Sequence, residues 1–331
     1  MRYSDAGVSI DLADGVKSRI GRIVRSTFTP RVLTAPGLFG AAFAGVGRGE
    51  VLVASCDGVG TKLTVAGMVG RHDTVGADLV NHSVNDILTL GARPLFFLDY
   101  IAASRLDPAV MTAVVGGLAR ACRSVGCALI GGETAIMPGW FSGLDYDLVG
   151  FIVGSVAKRR LIRPDRLVPG DVAIGLPSSG LHTNGYSLAR KVLFERAGYG
   201  VEERLPGLRL PLGRELLRPH RCYLPLVHQH LHRVKALAHI TGGGFYDNIA
   251  RLLPAECSCI IRRSSWRPGA IFRLIQQAGD VPDFEMYRTF NMGIGMVLFA
   301  APGQVDAITN SIPGARVVGR LVRGTFGVSV V

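Results

Sequence analysis

Long apolar runs, paired cysteines and lysine are scarce or missing in this 331-residue sequence. Stretches such as Phe96-Phe97-Leu98 and Met296-Val297-Leu298-Phe299 fall far short of the ~20 apolar residues that span a bilayer. Met1 leads into polar residues, so a cytoplasmic chain without membrane contact is expected. Cysteines stand at 56, 122, 127, 222, 257 and 259, with no C-x-x-C pair and no histidine–cysteine cluster at zinc spacing. Reduced, packed thiols are the expectation, with Cys257 and Cys259 on one face of a strand. The P-loop pattern is absent because Thr61 precedes Lys62, and G-x-G-x-x-G fails because Leu63 follows Gly60 by three.

A net charge of +12 invites a nucleic-acid partner, but its distribution argues against one. Arginines are scattered from Arg2 to Arg323, with no basic tail and no aromatic-interleaved patch on which bases could stack. Lysine occurs only at 17, 62, 158, 191 and 235, which singles out Lys62 within its motif.

The chain is long for one core, so two domains are expected, 1–165 and 166–331, meeting in the basic, proline-bearing segment from Lys158 to Gly170. An amphipathic stretch, Val16 to Val24, precedes a loose Thr34–Gly40 segment and Gly45-Val46-Gly47; residues 34–47 are either an ordered connection or a lid. The strand Val51-Leu52-Val53-Ala54 then delivers Asp57-Gly58-Val59-Gly60-Thr61-Lys62. A carboxylate for a hard cation, glycines that let backbone amides approach phosphate, a hydroxyl and an ammonium group share these six positions. A glycine turn is the plain alternative.

A helix is expected over 74–90, ending before Gly91. Its polar face gathers Asp78, His82, Asn85 and Asp86 at spacings of three and four, where a solvated face more often carries Lys and Glu. If that face looks into a site, Asp86 pairs with Asp57 as a second magnesium-type ligand. A strand at Pro94–Leu98, a helix from Asp107-Pro108 toward Gly126 and a strand at Cys127–Ile130 lead to Gly131-Gly132-Glu133-Thr134, a second acid delivered through glycines. Tyr146–Val156 is the next strand.

The second half opens with a strand at 171–176 and Ser178-Ser179-Gly180-Leu181-His182-Thr183-Asn184-Gly185, before a helix over 186–197. Small polar residues ahead of a helix offer free amides to an anion, and they also serve as caps. His182 reads either as a surface histidine or as a proton-transfer group. Thr241-Gly242-Gly243-Gly244 precede another helix, and such a run implies close backbone approach, to a phosphate or to a packed neighbour. Helical 268–278 and strand-like 293–300 complete an α/β pattern of α+β type. Carboxylates and a lysine in one half and glycine-rich helix entrances in the other point to ATP-dependent phosphoryl transfer with Mg²⁺.

Asp57–Lys62, Val84-Asn85-Asp86, Pro94–Tyr100, Gly131–Thr134, His239–Phe245 and Glu285-Met286-Tyr287-Arg288-Thr289-Phe290-Asn291 together resemble the phosphoribosylformylglycinamidine cyclo-ligase (AIR synthetase) family, from Tyr3–Val8 almost to the end. The resemblance implies a two-domain ATP-dependent synthetase that converts formylglycinamidine ribonucleotide and ATP to aminoimidazole ribonucleotide, ADP and phosphate. It implies a homodimer formed through the N-terminal sheet. It also implies Mg²⁺ on Asp57, Asp86 and Glu133, and ATP phosphates on Asp57, Gly58, Gly60, Thr61 and Lys62. Substrate contacts fall to Thr183, Asn184, Thr241, Gly242, Gly243 and Gly244, with His182, Lys62 and Asp86 as catalytic groups. The chain departs from the family pattern at Pro36–Gly40, Leu181, Thr183 and Met292. A related superfamily kinase and a non-catalytic nucleotide-binding relative are the alternatives; the second predicts loss of the acidic residues, which are present.

Overall fold

The computed structural model of the chain describes residues 1–6, 29–34, 38–45, 47, 49–105, 107–140 and 146–331. The amphipathic stretch at 16–24, residues 7–8 of the N-terminal motif, and 35–37 and 46 of the loose segment lie outside them.

Two sheets organise the molecule. Strands β1 (Ala41–Ala44), β2 (Glu50–Gly58), β3 (Arg93–Ala103), β4 (Ala128–Ile136) and β5 (Tyr146–Ala157) form the first, in the order β1-β2-β5-β3-β4. Helices α1 (Lys62–Val69), α2 (Val75–Leu88) and α3 (Pro108–Ser124) belong to the same half. The apolar stripe of α2 is buried as its periodicity requires: Val75, Leu79, Val80, Val84, Ile87 and Leu88 are solvent-free. Gly91 ends that helix with positive φ, its amide bonding Leu88 O. Asp107 caps α3, its Oδ1 accepting the amides of Ala109 and Val110, with Pro108 in the first turn. Strands β3 and β4 are parallel, as the intervening helix demands.

The second sheet has the order β11-β8-β10-β6-β9-β7, built from β6 (Val172–Pro177), β7 (Val234–His239), β8 (Cys257–Ile261), β9 (Ile294–Ala300), β10 (Arg316–Arg323) and β11 (Gly327–Val330). Cys257 and Cys259 are both buried on one face of β8, as alternation predicts. Around this sheet lie α4 (Tyr186–Arg190), which continues as a π-helical turn to Arg196, α5 (Gly244–Ala250), α6 (Ala270–Gly279) and α7 (Asp283–Thr289). Among the described residues no helix is long and apolar enough to cross a membrane.

The halves meet along the polar face of α2. Asp78 Oδ1 accepts the amide of His220 at 2.6 Å, Asn81 donates to His220 O at 2.7 Å, and Asn85 donates to Arg221 O and accepts from Tyr223 N, each at 2.8 Å. Asp78, Asn81 and Asn85 thus dock the segment 218–223 from the other half, which is why this face carries no Lys or Glu.

Candidate active site

Asp57 closes β2, and Asp86 sits one turn beyond His82 on α2. Ser55 Oγ bridges them, 3.1 Å from Asp57 Oδ2 and 3.5 Å from Asp86 Oδ2. Burial, followed by the neighbouring Asp57 charge, pushes the Asp86 carboxyl well above the usual carboxylate range. Two carboxylates this close need a proton or a cation between them, and a divalent ion is the arrangement that leaves both ionised.

Four imidazoles crowd against this pair. His239, at the end of β7, lies 2.6 Å through Nδ1 from Asp86 Oδ1. Its Nε2 is 2.9 Å from His220 Nε2, and His220 Nδ1 is 3.4 Å from Thr183 Oγ1. Thr183 Oγ1 is in turn 2.8 Å from His82 Nδ1, which closes an arc from the acid pair across to the second half and back. Burial pushes His239 down to about 3 and His220 well below its ordinary value, so these rings are neutral at pH 7. Sequence reasoning gave His239 and His220 no role. His239 stands at a strand end before a glycine run, a signal that could have been read; His220 carries none.

His182 is not where either sequence reading put it. Its ring is 1 % exposed and stacks on His220 at 4.0 Å. Its Nε2 accepts the Ser179 amide at 3.2 Å, and Nδ1 is buried without a partner. Burial holds its pKa well below the ordinary value. It is an interior ring, held at a φ of 65°.

Lys62 requires the largest correction. Its ammonium is solvent-free and spends all three protons inside: on Asp78 Oδ1 at 2.8 Å, His182 O at 2.9 Å and Arg218 O at 2.8 Å. In this structure it is a tie between the halves and presents no charge to a phosphate. Burial lowers its pKa and raises that of Asp78 to about 6.

Glu133 is corrected by register. The row containing Asp57 runs through Gly150 and Asp99 to Gly132, so β4 lies three strands away, about 14 Å at ~4.8 Å per strand. Glu133 belongs to the next row, with Gly58, Val149 and Tyr100, and therefore to the opposite face. Within one chain it cannot share a cation with Asp57.

Two local contacts involve the remaining site residues. Gly58, Gly60 and Thr61 are exposed at the end of β2, and Thr61 Oγ1 lies 3.1 Å from Ser187 Oγ of the other half. Asn184 and Gly242 are neighbours: a Cβ on Gly242 would lie 3.5 Å from Asn184 Nδ2. The glycine run is explained in two parts. Asn248 ties it down by donating to Thr241 O, Gly242 O and Gly244 O, and a Cβ on Gly244 would fall 1.9 Å from Tyr287 O at a φ of +58°. Packing against α7 therefore dictates Gly244, while exposed Gly242 is open to a ligand.

Residues 40–156 match the family described as AIR synthase related protein, N-terminal domain, and 168–331 match AIR synthase related protein, C-terminal domain. The chain is 47% identical to a phosphoribosylformylglycinamidine cyclo-ligase of Thermoanaerobacter pseudethanolicus, covering 99% of each chain. It is 48% identical to the protein of that name from Trichlorobacter lovleyi, covering 94% of this chain and 91% of the other. Among solved structures, thiamine-monophosphate kinase of Stenotrophomonas maltophilia K279a has a TM-score of 0.64 at 19% identity, over 93% of both chains. AaThiL complexed with AMPPCP and TMP has a TM-score of 0.67 at 16% identity, over 96% of this chain and 92% of that one. These two likenesses concern the fold.

Proposed function

Because this chain belongs to the phosphoribosylformylglycinamidine cyclo-ligase family, an AIR synthase family of enzymes, we propose that its acid pair and the loops facing it carry out the ATP-dependent ring closure of formylglycinamidine ribonucleotide. The observation that supports this most directly is the arc of side chains linking Asp86 to Thr183, which brings the cation-competent carboxylates and the polar loop of the second half to one place.

Asp57 and Asp86 would hold Mg²⁺, which would supply neutralisation of phosphate charge. Gly58, Gly60 and Thr61 offer amides and a hydroxyl to the ATP phosphates. Thr183, Asn184, Thr241 and Gly242 hold the ribonucleotide, and Gly243 and Gly244 shape the loop. The formyl amide oxygen attacks the γ-phosphorus and ADP departs. The amidine nitrogen then adds to the former carbonyl carbon, and inorganic phosphate leaves with the original oxygen. An amide oxygen is a poor leaving group, and phosphorylation makes it a good one. The burden on the chain is positioning and charge stabilisation, so neither Lys62 nor His182 has to touch the reacting atoms.

The reading includes a division of the chain near residue 165, a cytoplasmic location and a homodimer. The outer face of the first sheet supports the last: Phe43, Leu95, Tyr100, Ile130 and Phe151 are all more than one-third exposed. Incubating purified protein with ATP, Mg²⁺ and formylglycinamidine ribonucleotide should release ADP and aminoimidazole ribonucleotide in equal amounts. ADP without the imidazole product would refute the cyclisation. Asp57→Asn should lower turnover at least a hundredfold and raise the magnesium requirement, and near-normal kinetics would remove Asp57 from the metal site.

A further inference from the structure

The arc of hydrogen bonds has a direction, and following it proton by proton fixes what His82 presents to the acid pair. A neutral imidazole carries one N–H, and an ionised carboxylate only accepts. With Asp86 ionised, as a cation ligand must be, the 2.6 Å contact requires the proton of His239 on Nδ1 and leaves its Nε2 bare. The 2.9 Å contact is then a donation from His220 Nε2–H to His239 Nε2, which leaves His220 Nδ1 bare. That nitrogen accepts the Thr183 hydroxyl proton, and Thr183 Oγ1 accepts from His82 Nδ1–H at 2.8 Å. With its ring neutral, as a ligand nitrogen must be, His82 Nε2 is then a lone pair. It faces Asp57 Oδ1 at 3.6 Å and Asp86 Oδ2 at 3.8 Å, beyond hydrogen-bond range, on a side chain only 8% exposed.

A ring nitrogen and two carboxylate oxygens aimed at one point need a positive charge among them, either a proton on the ring or a cation that all three bind. Ligand atoms around an ion with bonds of about 2.1–2.2 Å are roughly 3.0–3.5 Å apart, so the observed spacings need to close by only a few tenths of an ångström. Run the other way, the arc needs a proton on Asp86 or a second one on His239, and it points an N–H from His82 at the pair, which leaves no nitrogen for a cation. Cation binding and the direction of the arc therefore select each other.

We propose that His82 is a nitrogen ligand of the cation held by Asp57 and Asp86, and that this site takes a first-row transition-metal ion such as Mn²⁺ or Co²⁺ ahead of Mg²⁺. The proposal rests on the reading that a cation sits at the acid pair. Imidazole is a good donor to transition metals and a poor one to Mg²⁺, which prefers oxygen. His220 and Thr183 are then positioning residues, since they hold His82 in the tautomer that binds.

The test uses the folded protein and Mn²⁺ alone, titrated by electron paramagnetic resonance, with Mg²⁺ as competitor and electron spin-echo modulation to detect directly bound ¹⁴N. The wild-type protein should show nitrogen modulation and bind Mn²⁺ at least about tenfold tighter than Mg²⁺. His82→Leu should abolish the modulation and most of the Mn²⁺ preference. His220→Leu should weaken Mn²⁺ binding by about 10–100-fold, the usual cost of losing an outer partner of a ligand. Wild-type Mn²⁺ binding without nitrogen modulation overturns the proposal whether or not the variants fold, as does modulation that survives His82→Leu. Asp57→Asn separates the two readings. If it leaves Mn²⁺ binding unchanged, the cation is not at the acid pair and both fall; if it abolishes binding that showed no nitrogen, only the role of His82 falls.

Discussion

Replacing Lys62 with methionine distinguishes a tie between the halves from a phosphate ligand. Methionine keeps the length of the stem and removes the ammonium, leaving the Asp78 carboxylate, His182 O and Arg218 O facing an apolar tip. Breaking a buried ion pair from one side costs about 3–5 kcal/mol. Protonation sets a ceiling on the electrostatic part: from an ordinary 3.8 to pH 7 is 3.2 pH units, or about 4 kcal/mol, after which the carboxyl is neutral. At pH 5.5 the same ceiling falls to about 2 kcal/mol. The wild-type carboxyl, already pushed up to about 6, is then largely protonated as well. A raised carboxyl pKa contributes stability that is fully present below 3.8 and lost as pH rises through about 6. The wild type already bears the step from 3.8 to about 6, about 3 kcal/mol, so the pH-dependent part of the Lys62→Met deficit should be about 1 kcal/mol at pH 7 and close to zero at pH 5.5, on top of a pH-independent loss from the ammonium's other hydrogen bonds, measured by urea unfolding. Lys62→Met/Asp78→Asn should recover a large part of the loss, and ATP affinity of the folded variant should change little. Unchanged stability with ATP affinity down tenfold or more would refute the reasoning and return Lys62 to the phosphates.

The glycine run supplies a paired test: Gly244→Ala should cost at least ~3 kcal/mol, because it adds a clash with Tyr287 O to a left-handed backbone, while Gly242→Ala should leave stability within about 0.5 kcal/mol and raise the KM for the ribonucleotide. Equal melting temperatures for the two would show that the loop yields. His182→Ala should lower stability by about 2–3 kcal/mol through the lost ring stack, without moving the pH–rate profile. A displaced profile would restore His182 as a proton-transfer group.

Periodicity and capping were enough to place α2, α3 and most strands, because these elements are dictated locally. Asp57 and Asp86 were also readable: a strand-end acid and a helix face without Lys or Glu are local signals. What failed depended on long-range placement, either the docking of the second half or the strand order of the first sheet. Lys62 reads as a phosphate ligand until Arg218 and His182 are seen to surround it. His182 reads as a loop residue until His220 stacks on it. Glu133 reads as a third ligand until strand order separates it from Asp57 by two intervening strands. His220 follows a proline and precedes an arginine, and nothing around it in sequence marks it; only the contact with α2 gives it a function.

Helix α2 also imposes an order on assembly. Ribosomes finish this helix more than a hundred residues before they reach 218–223, so Asp78, Asn81 and Asn85 wait in water for partners not yet made. The same late segment brings His220, without which the arc from Asp86 to Thr183 has a gap. A chain truncated before that segment therefore lacks both the docking contacts of Asp78, Asn81 and Asn85 and the His220 link of the arc.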